Sequence, residues 1–222
     1  MTYLVAEKYL SERDSIMRKI IKDNLPLTPR DNHNGDYFRS LARSIIGQQV
    51  STHSAAKTFS RLQTVTGLDL DVIKDLTVEQ AKVIGLSRQK KRYLEALSQH
   101  FLTKPEIFTH LEELSDEDVI TELTKIVGIG TWTAEMFLLF TLGRPDVFSV
   151  GDRGLQQAVV NHYAAPKKQK MDQRLAKELI AGWTKADLLA IADQWRPYRS
   201  IASLYLWESL HNLPKAVESD SE

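Results

Sequence analysis

Two local patterns in this chain could do chemistry. Asp152 stands where a helix is expected to begin, shortly after a turn that reads Val127-Gly128-Ile129-Gly130. A carboxylate at a helix start is favoured by the positive end of the helix dipole. There it can stabilise a neighbouring cation, or orient or deprotonate an attacking water; it can also be a plain N-cap. In the turn, an amphipathic helix ends, two glycines flank one apolar residue, and a second helix starts at Thr131. Glycine permits left-handed dihedrals and close backbone approach, and Ile129 can plug between the two helices. The second helix then presents its first N–H groups outward, an arrangement that binds an anion such as a phosphate oxygen. An ordinary helix corner with a glycine C-cap has the same short pattern, so the turn alone does not choose between the two.

The elements that must hold these residues read as helical almost throughout. Residues from about Ala6 to Asn24 place Tyr9, Ile16, Ile20 and Ile21 near helical spacing, and Pro26 and Pro29 stop the run. A polar turn over Asp31–Gly35 precedes a helix from Asp36 to Gly47, with Phe38, Leu41, Ile45 and Ile46 on one side. Ser51 or Thr52 caps the next, which carries Ala55, Ala56 and Phe59. Thr77 and Gln80 have capping-box spacing for a short helix ending at Gly85. Ser87 caps a helix that turns Tyr93, Leu94, Leu97 and Phe101 inward, and Ser115 opens another, its first turn rich in acids. Further helices are expected over Thr131–Leu142, Asp152–Asn161, Met171–Ala181, Thr184–Gln194 and Pro197–Leu210. No segment alternates as a strand would, and Asp146–Val150 reads as an extended link. The fold class is all-α.

With 222 residues and 42% apolar side chains, the chain can bury a substantial core in one large domain or two lobes. No apolar run is long enough to span a membrane, and the opening Met1–Lys8 lacks the pattern of a secretory signal. There is no cysteine, which removes disulfides, thiolate nucleophiles, cysteine-bound zinc and iron–sulfur clusters. The 29 basic and 29 acidic residues balance. That sum argues mildly against a nucleic-acid partner, but distribution matters more: Lys82, Arg88, Lys90, Lys91, Arg92 and Lys104 face only Glu95 in one stretch. The acidic residues 217–222 read as a disordered tail. No histidine spacing suggests a metal; His53, near Ser51, is the one to watch.

The wider pattern is Gly128-Ile129-Gly130-Thr131-Trp132-Thr133-Ala134, then Asp146-Val147-Phe148, then Gly151-Asp152. It resembles the helix-hairpin-helix DNA glycosylase superfamily (HhH-GPD), and within it the alkylation-repair branch, the 3-methyladenine DNA glycosylases. Three further segments agree, in family order: Ile45-Ile46-Gly47-Gln48-Gln49-Val50-Ser51, Gly85-Leu86-Ser87-Arg88-Gln89-Lys90, and Gln194-Trp195-Arg196-Pro197-Tyr198-Arg199-Ser200 with Tyr205-Leu206-Trp207 beyond. The resemblance implies two helical lobes with a DNA cleft between them. Residues 1–36 and 152–216 would form one lobe. Residues 37–151 would form the other, the hairpin lying at about 118–142.

By the same resemblance, the partner is double-stranded DNA with a damaged base, and the chain acts as a monomer without a cofactor. It is expected where the DNA is, at the nucleoid of a bacterial cytoplasm or in a eukaryotic nucleus. The reaction implied is hydrolysis of the N-glycosidic bond of a flipped, alkylated purine, through an oxocarbenium-like transition state. Asp152 matches the catalytic aspartate. Trp132 stands where bifunctional relatives such as endonuclease III carry an attacking lysine, which implies hydrolysis without strand cleavage; its indole can stack on an electron-poor base. Trp207 matches the opposite pocket wall, and Met136 would line the same pocket. Gln49 matches the residue that fills the gap left by the extruded nucleotide, with Ser51 near the minor groove. Gly128, Gly130, Thr131 and Thr133 would hold a phosphate, and the carbonyls of Thr124, Ile126 and Ile129 a sodium or potassium ion. Lys90, Arg153 and Arg199 are further candidate DNA contacts. Arg153 and Ser149 depart from the family's usual apolar residue and proline, which puts the substrate range in doubt. Two rival classes are a non-catalytic hairpin DNA-binding module, disfavoured by Asp152 and Gln49, and a lyase-type glycosylase for oxidised bases, disfavoured by Trp132.

Overall fold

The computed structural model describes residues 3–24, 26–27, 35–164 and 182–211, and every regular element among them is helical. The helix expected over Met171–Ala181 and the acidic tail over 217–222 lie outside the described residues. Two compact units divide the chain. Met1–Asp31 and Gly143–Pro214 supply one, and Asn32–Leu142 supplies the body of the other.

The first unit contains α1 (Leu4–Arg13), α2 (Ser15–Asp23), α11 (Arg153–Tyr163), α12 (Lys185–Ala192) and α13 (Arg199–Ser209). One continuous helix was expected over Ala6–Asn24; the chain breaks at Asp14 instead. There the backbone is extended, and Asp14 Oδ1 accepts the N–H groups of Ile16 and Met17, capping α2. Its Oδ2 accepts from Tyr163 Oη at 2.5 Å and Trp195 Nε1 at 3.0 Å. A buried carboxylate is tolerable only with such donors. Burial and the adjacent carboxylate both push the Tyr163 phenol well above its usual range, so it stays a donor. Leu10, Met17, Ile20, Leu155, Val159, Trp195, Tyr205 and Trp207 form the apolar interior.

The segment that leads to α11 belongs to this unit, whereas the expected boundary lay after residue 151. The correction has a clear cause. Ser200 Oγ donates to Arg144 O at 2.6 Å and accepts from Val147 N–H at 2.9 Å, and Ser200 N–H donates to Pro145 O. Arg199 binds Asp146 through Nε to Oδ1 at 2.8 Å and Nη2 to the main-chain oxygen at 2.6 Å. Residues 144–147 are therefore laced to the start of α13, and the chain enters α11 from a fixed platform.

The second unit runs α3 (Tyr37–Gly47), α4 (Thr52–Thr66), α5 (Leu70–Lys74), α6 (Val78–Ile84), α7 (Arg88–Thr103), α8 (Pro105–Thr109), α9 (Asp116–Thr124) and α10 (Thr131–Phe140). The expected caps are in place: Ser51 on α4, the Thr77–Gln80 box on α6, Ser87 on α7 and Ser115 on α9. Each satisfies N–H groups that a helix start leaves open. The core is built from Leu41, Ile45, Leu62, Ile73, Ile84, Leu94, Leu97, Leu123 and Leu138. Ala56 faces solvent, and Phe59 and Leu62 carry the buried apolar face of α4. The short helices α5 and α8 were not expected. Each is barely more than a turn, too short to show a period.

Candidate functional site

Asp152 is the N-cap of α11 and is 8% exposed. Its Oδ1 accepts two bonds, from Leu155 N–H at 2.8 Å and from Trp207 Nε1 at 3.0 Å. The approach is set by Asp152 N–H donating to Ser149 O at 3.0 Å and by Gln156 Nε2 donating to Val150 O at 2.8 Å. A carboxylate held by a helix-start N–H and an indole N–H has a fixed position and a polar partner for its charge. Trp207 is 1% exposed, and its indole N–H is spent on Asp152. Trp207, expected as a pocket wall, is a buried tryptophan on α13 whose indole N–H meets the carboxylate. Gly154 makes this geometry possible: a Cβ there would lie 3.1 Å from Asp152 Oδ1 and 3.1–3.2 Å from the Trp207 ring. Sequence reasoning passed over Gly154, because only the tertiary approach of α13 gives that glycine a purpose.

Trp132, Met136, Gln49 and the hairpin all belong to the second unit. Trp132 is in the first turn of α10 and is 45% exposed, unusual for so large an apolar ring. Met136, one turn later, is buried at 7% and packs as core. In the hairpin, α9 ends at Thr124 and α10 starts after Gly130. Ile129 is buried, as a plug requires, and Gly128 takes φ +100°. Gly130 is different. Its φ of −96° and ψ of 174° suit any residue, and a Cβ there would meet nothing within 4 Å. The fold does not need a glycine at 130, but a ligand that must reach the backbone would. Thr131 is exposed, whereas Thr133 is buried and offers at most its backbone. Of the carbonyls expected to hold an alkali cation, that of Ile126 accepts Ile129 N–H at 3.0 Å.

Gln49 is exposed and holds φ +58°, a left-handed conformation rare for a residue with a side chain. Ser51 spends its hydroxyl as the α4 cap, accepting Ser54 N–H at 3.3 Å. His53 is exposed on the first turn of α4. Two of the three further cationic candidates are occupied internally. Lys90 Nζ donates to Ile46 O at 2.6 Å, and burial lowers its pKa. Arg199 is committed to Asp146, with its side chain only 14% exposed. Arg153 is exposed on α11. No group of His, Asp and Glu suited to a metal occurs among the described residues, and no helix there is long and apolar enough to cross a membrane.

Residues 42–183 match the model of the HhH-GPD superfamily base excision DNA repair proteins. A Bacillus subtilis relative is 33% identical over 78% of this chain, which spans 58% of that relative's length. A crystal structure of DNA-3-methyladenine glycosidase from Bacillus halodurans superimposes with a TM-score of 0.71 and 32% identity, covering 90% of this chain and 86% of that one. The 3-methyladenine DNA glycosylase of Schizosaccharomyces pombe, solved in complex with abasic DNA, gives a TM-score of 0.75 and 25% identity, covering 97% of this chain and 99% of the other. With a family match that extends over more than half its length, and a buried aspartate and a glycine hairpin at the positions the motifs require, the chain belongs to the HhH-GPD superfamily of base excision DNA repair proteins.

Proposed function

We propose that this protein is a monofunctional DNA glycosylase that extrudes alkylated purines from duplex DNA, 3-methyladenine foremost, and hydrolyses the N-glycosidic bond. The product is an abasic site in an uncut strand. The observation that carries this reading is the held carboxylate: Asp152, nearly buried, with Leu155 N–H and Trp207 Nε1 converging on Oδ1. An alkylated purine already bears positive charge and leaves readily. The demand on the protein is then a fixed negative charge to meet the developing sugar cation, and a site that holds the flipped nucleotide away from bulk water. The names of the Bacillus halodurans and Schizosaccharomyces pombe structures support the same substrate.

The remaining residues divide the work. Trp132, exposed on α10, offers an electron-rich face to a cationic base. An indole has no amine to attack the sugar carbon, so the strand is left intact. Gln49 occupies the gap left by the extruded nucleotide, and the N–H groups that start α10 hold a backbone phosphate. Arg153 is the exposed cation that remains for phosphate contact. One molecule is proposed to act per lesion.

The test is product analysis on methylated duplex DNA. Free 3-methyladenine should appear, and the strand should break only after alkali is added. Strand cleavage by the protein alone would point to a lyase acting on other bases. Tight binding without base release would point to a damage-binding module.

A further inference from the structure

The exposed Gln49 is one residue from an internal tether, and the contacts around that tether form a closed circuit within the second unit. Gln48, its neighbour, turns the other way. Its Nε2 donates to Gly128 O at 3.0 Å, in the hairpin turn. Gly128 itself is seated on a ring: a Cβ there would lie 2.3–2.7 Å from three atoms of Tyr93, on α7. Tyr93 is steadied by Gln89 Nε2, which donates to its hydroxyl at 2.6 Å. From the same helix, Lys90 Nζ reaches Ile46 O at 2.6 Å, at the end of α3. A cation at that place satisfies a carbonyl that the helix leaves open and meets the negative end of its dipole. The short turn between α3 and α4 is thus held at its entry by Lys90 and at its crest by Gln48. Gln49, exposed and held left-handed at φ +58°, follows these two supports directly in the chain.

We infer that Gln48 and Lys90 are positioning residues that hold Gln49, the inserting side chain, at a set place relative to the phosphate-binding hairpin. This rests on the wedge role proposed for Gln49. A left-handed backbone is unfavourable for a glutamine and persists only where its surroundings over-determine it. The two tethers are those surroundings. Lys90 is therefore committed to the fold and is not a phosphate contact. The hairpin grips the DNA backbone and, through Gly128 O, also sets where the wedge enters.

The experiment is a mutant cycle on the full chain. Gln48→Met keeps length and loses the donor. Extrusion is read with a duplex containing ethenoadenine, an alkylated purine whose fluorescence rises on unstacking, and binding with the same undamaged duplex. Gln48→Met should lower the extrusion signal at least fivefold and leave affinity for undamaged duplex within twofold. Combining it with Gln49→Ala should give no more loss than Gln49→Ala alone, because both act on one step. A wild-type signal in Gln48→Met, or losses that add, overturns the inference while the wedge stands. An unchanged signal in Gln49→Ala overturns the wedge itself, and the inference with it. If Gln48→Met does not fold, Lys90→Met decides by the same signal. Its affinity should also keep the wild-type salt dependence, where loss of a phosphate contact would reduce the slope by about 0.9.

Discussion

At the scale of single residues, the centre of the account is the bond between Trp207 Nε1 and Asp152 Oδ1. A tryptophan near the C-terminal helix is legible as important from its neighbours in sequence, but its orientation is not. The resemblance assigned it to a pocket wall. The structure buries it and points its N–H at the carboxylate, a fact that depends on α13 meeting the start of α11. Lys90 and Arg199 teach the same lesson, since a basic residue looks equally available in sequence whether or not a buried carbonyl or carboxylate has claimed it. Trp207→Phe removes the donor and keeps most of the apolar bulk. A hydrogen bond to a charged group contributes about 1.5–3 kcal/mol, so single-turnover base release should slow by about 10- to 150-fold. Affinity for damaged duplex should change little. A Trp207→Phe protein that binds damaged DNA poorly but releases base at the wild-type rate would favour the pocket-wall role instead.

At the scale of elements, the sequence was most readable where physics is local. Caps are local: Ser51, Thr77, Ser87, Ser115, Asp152 and Thr184 each bond the N–H three residues ahead. The break at Asp14 was missed because the surrounding apolar spacing runs on through it, and its second oxygen is satisfied from far along the chain by Tyr163 and Trp195. The hairpin shows both cases side by side. Gly128 and Gly130 look equivalent in sequence, yet only Gly128 is required by backbone and packing. Gly128→Ala should destabilise the protein by about 1–3 kcal/mol, through strain at positive φ and the Tyr93 clash. Gly130→Asp should leave thermal stability unchanged or raise it slightly, because aspartate is a good N-cap in an extended conformation. The same change should weaken binding to every duplex tested, by placing a carboxylate where a phosphate would rest. Melting curves and titrations of both variants check the pair. A Gly130→Asp protein with wild-type affinity would remove the hairpin from the DNA interface.

At the scale of the whole molecule, the all-helical architecture and the order of the motifs were legible, because periodicity and glycine-punctuated helix ends recur along the chain. The assignment of Gly143–Gly151 was not. That stretch of turns and irregular backbone has no period of its own, and it follows the unit to which Ser200 and Arg199 bind it. The consequence is functional. Asp152 is reached through a segment laced to α13, so the proposed catalytic carboxylate and the indole bonded to it share one unit, while the hairpin, the proposed wedge and the exposed indole share the other. Catalysis and DNA grip should therefore separate under mutation. Single-turnover release of 3-methyladenine from methylated duplex by Asp152→Asn tests this most directly, with binding to the same DNA measured in parallel. Release should slow by at least 100-fold, about 2.7 kcal/mol of lost transition-state stabilisation, with affinity for the DNA retained. Release near the wild-type rate would contradict the catalytic role proposed for Asp152.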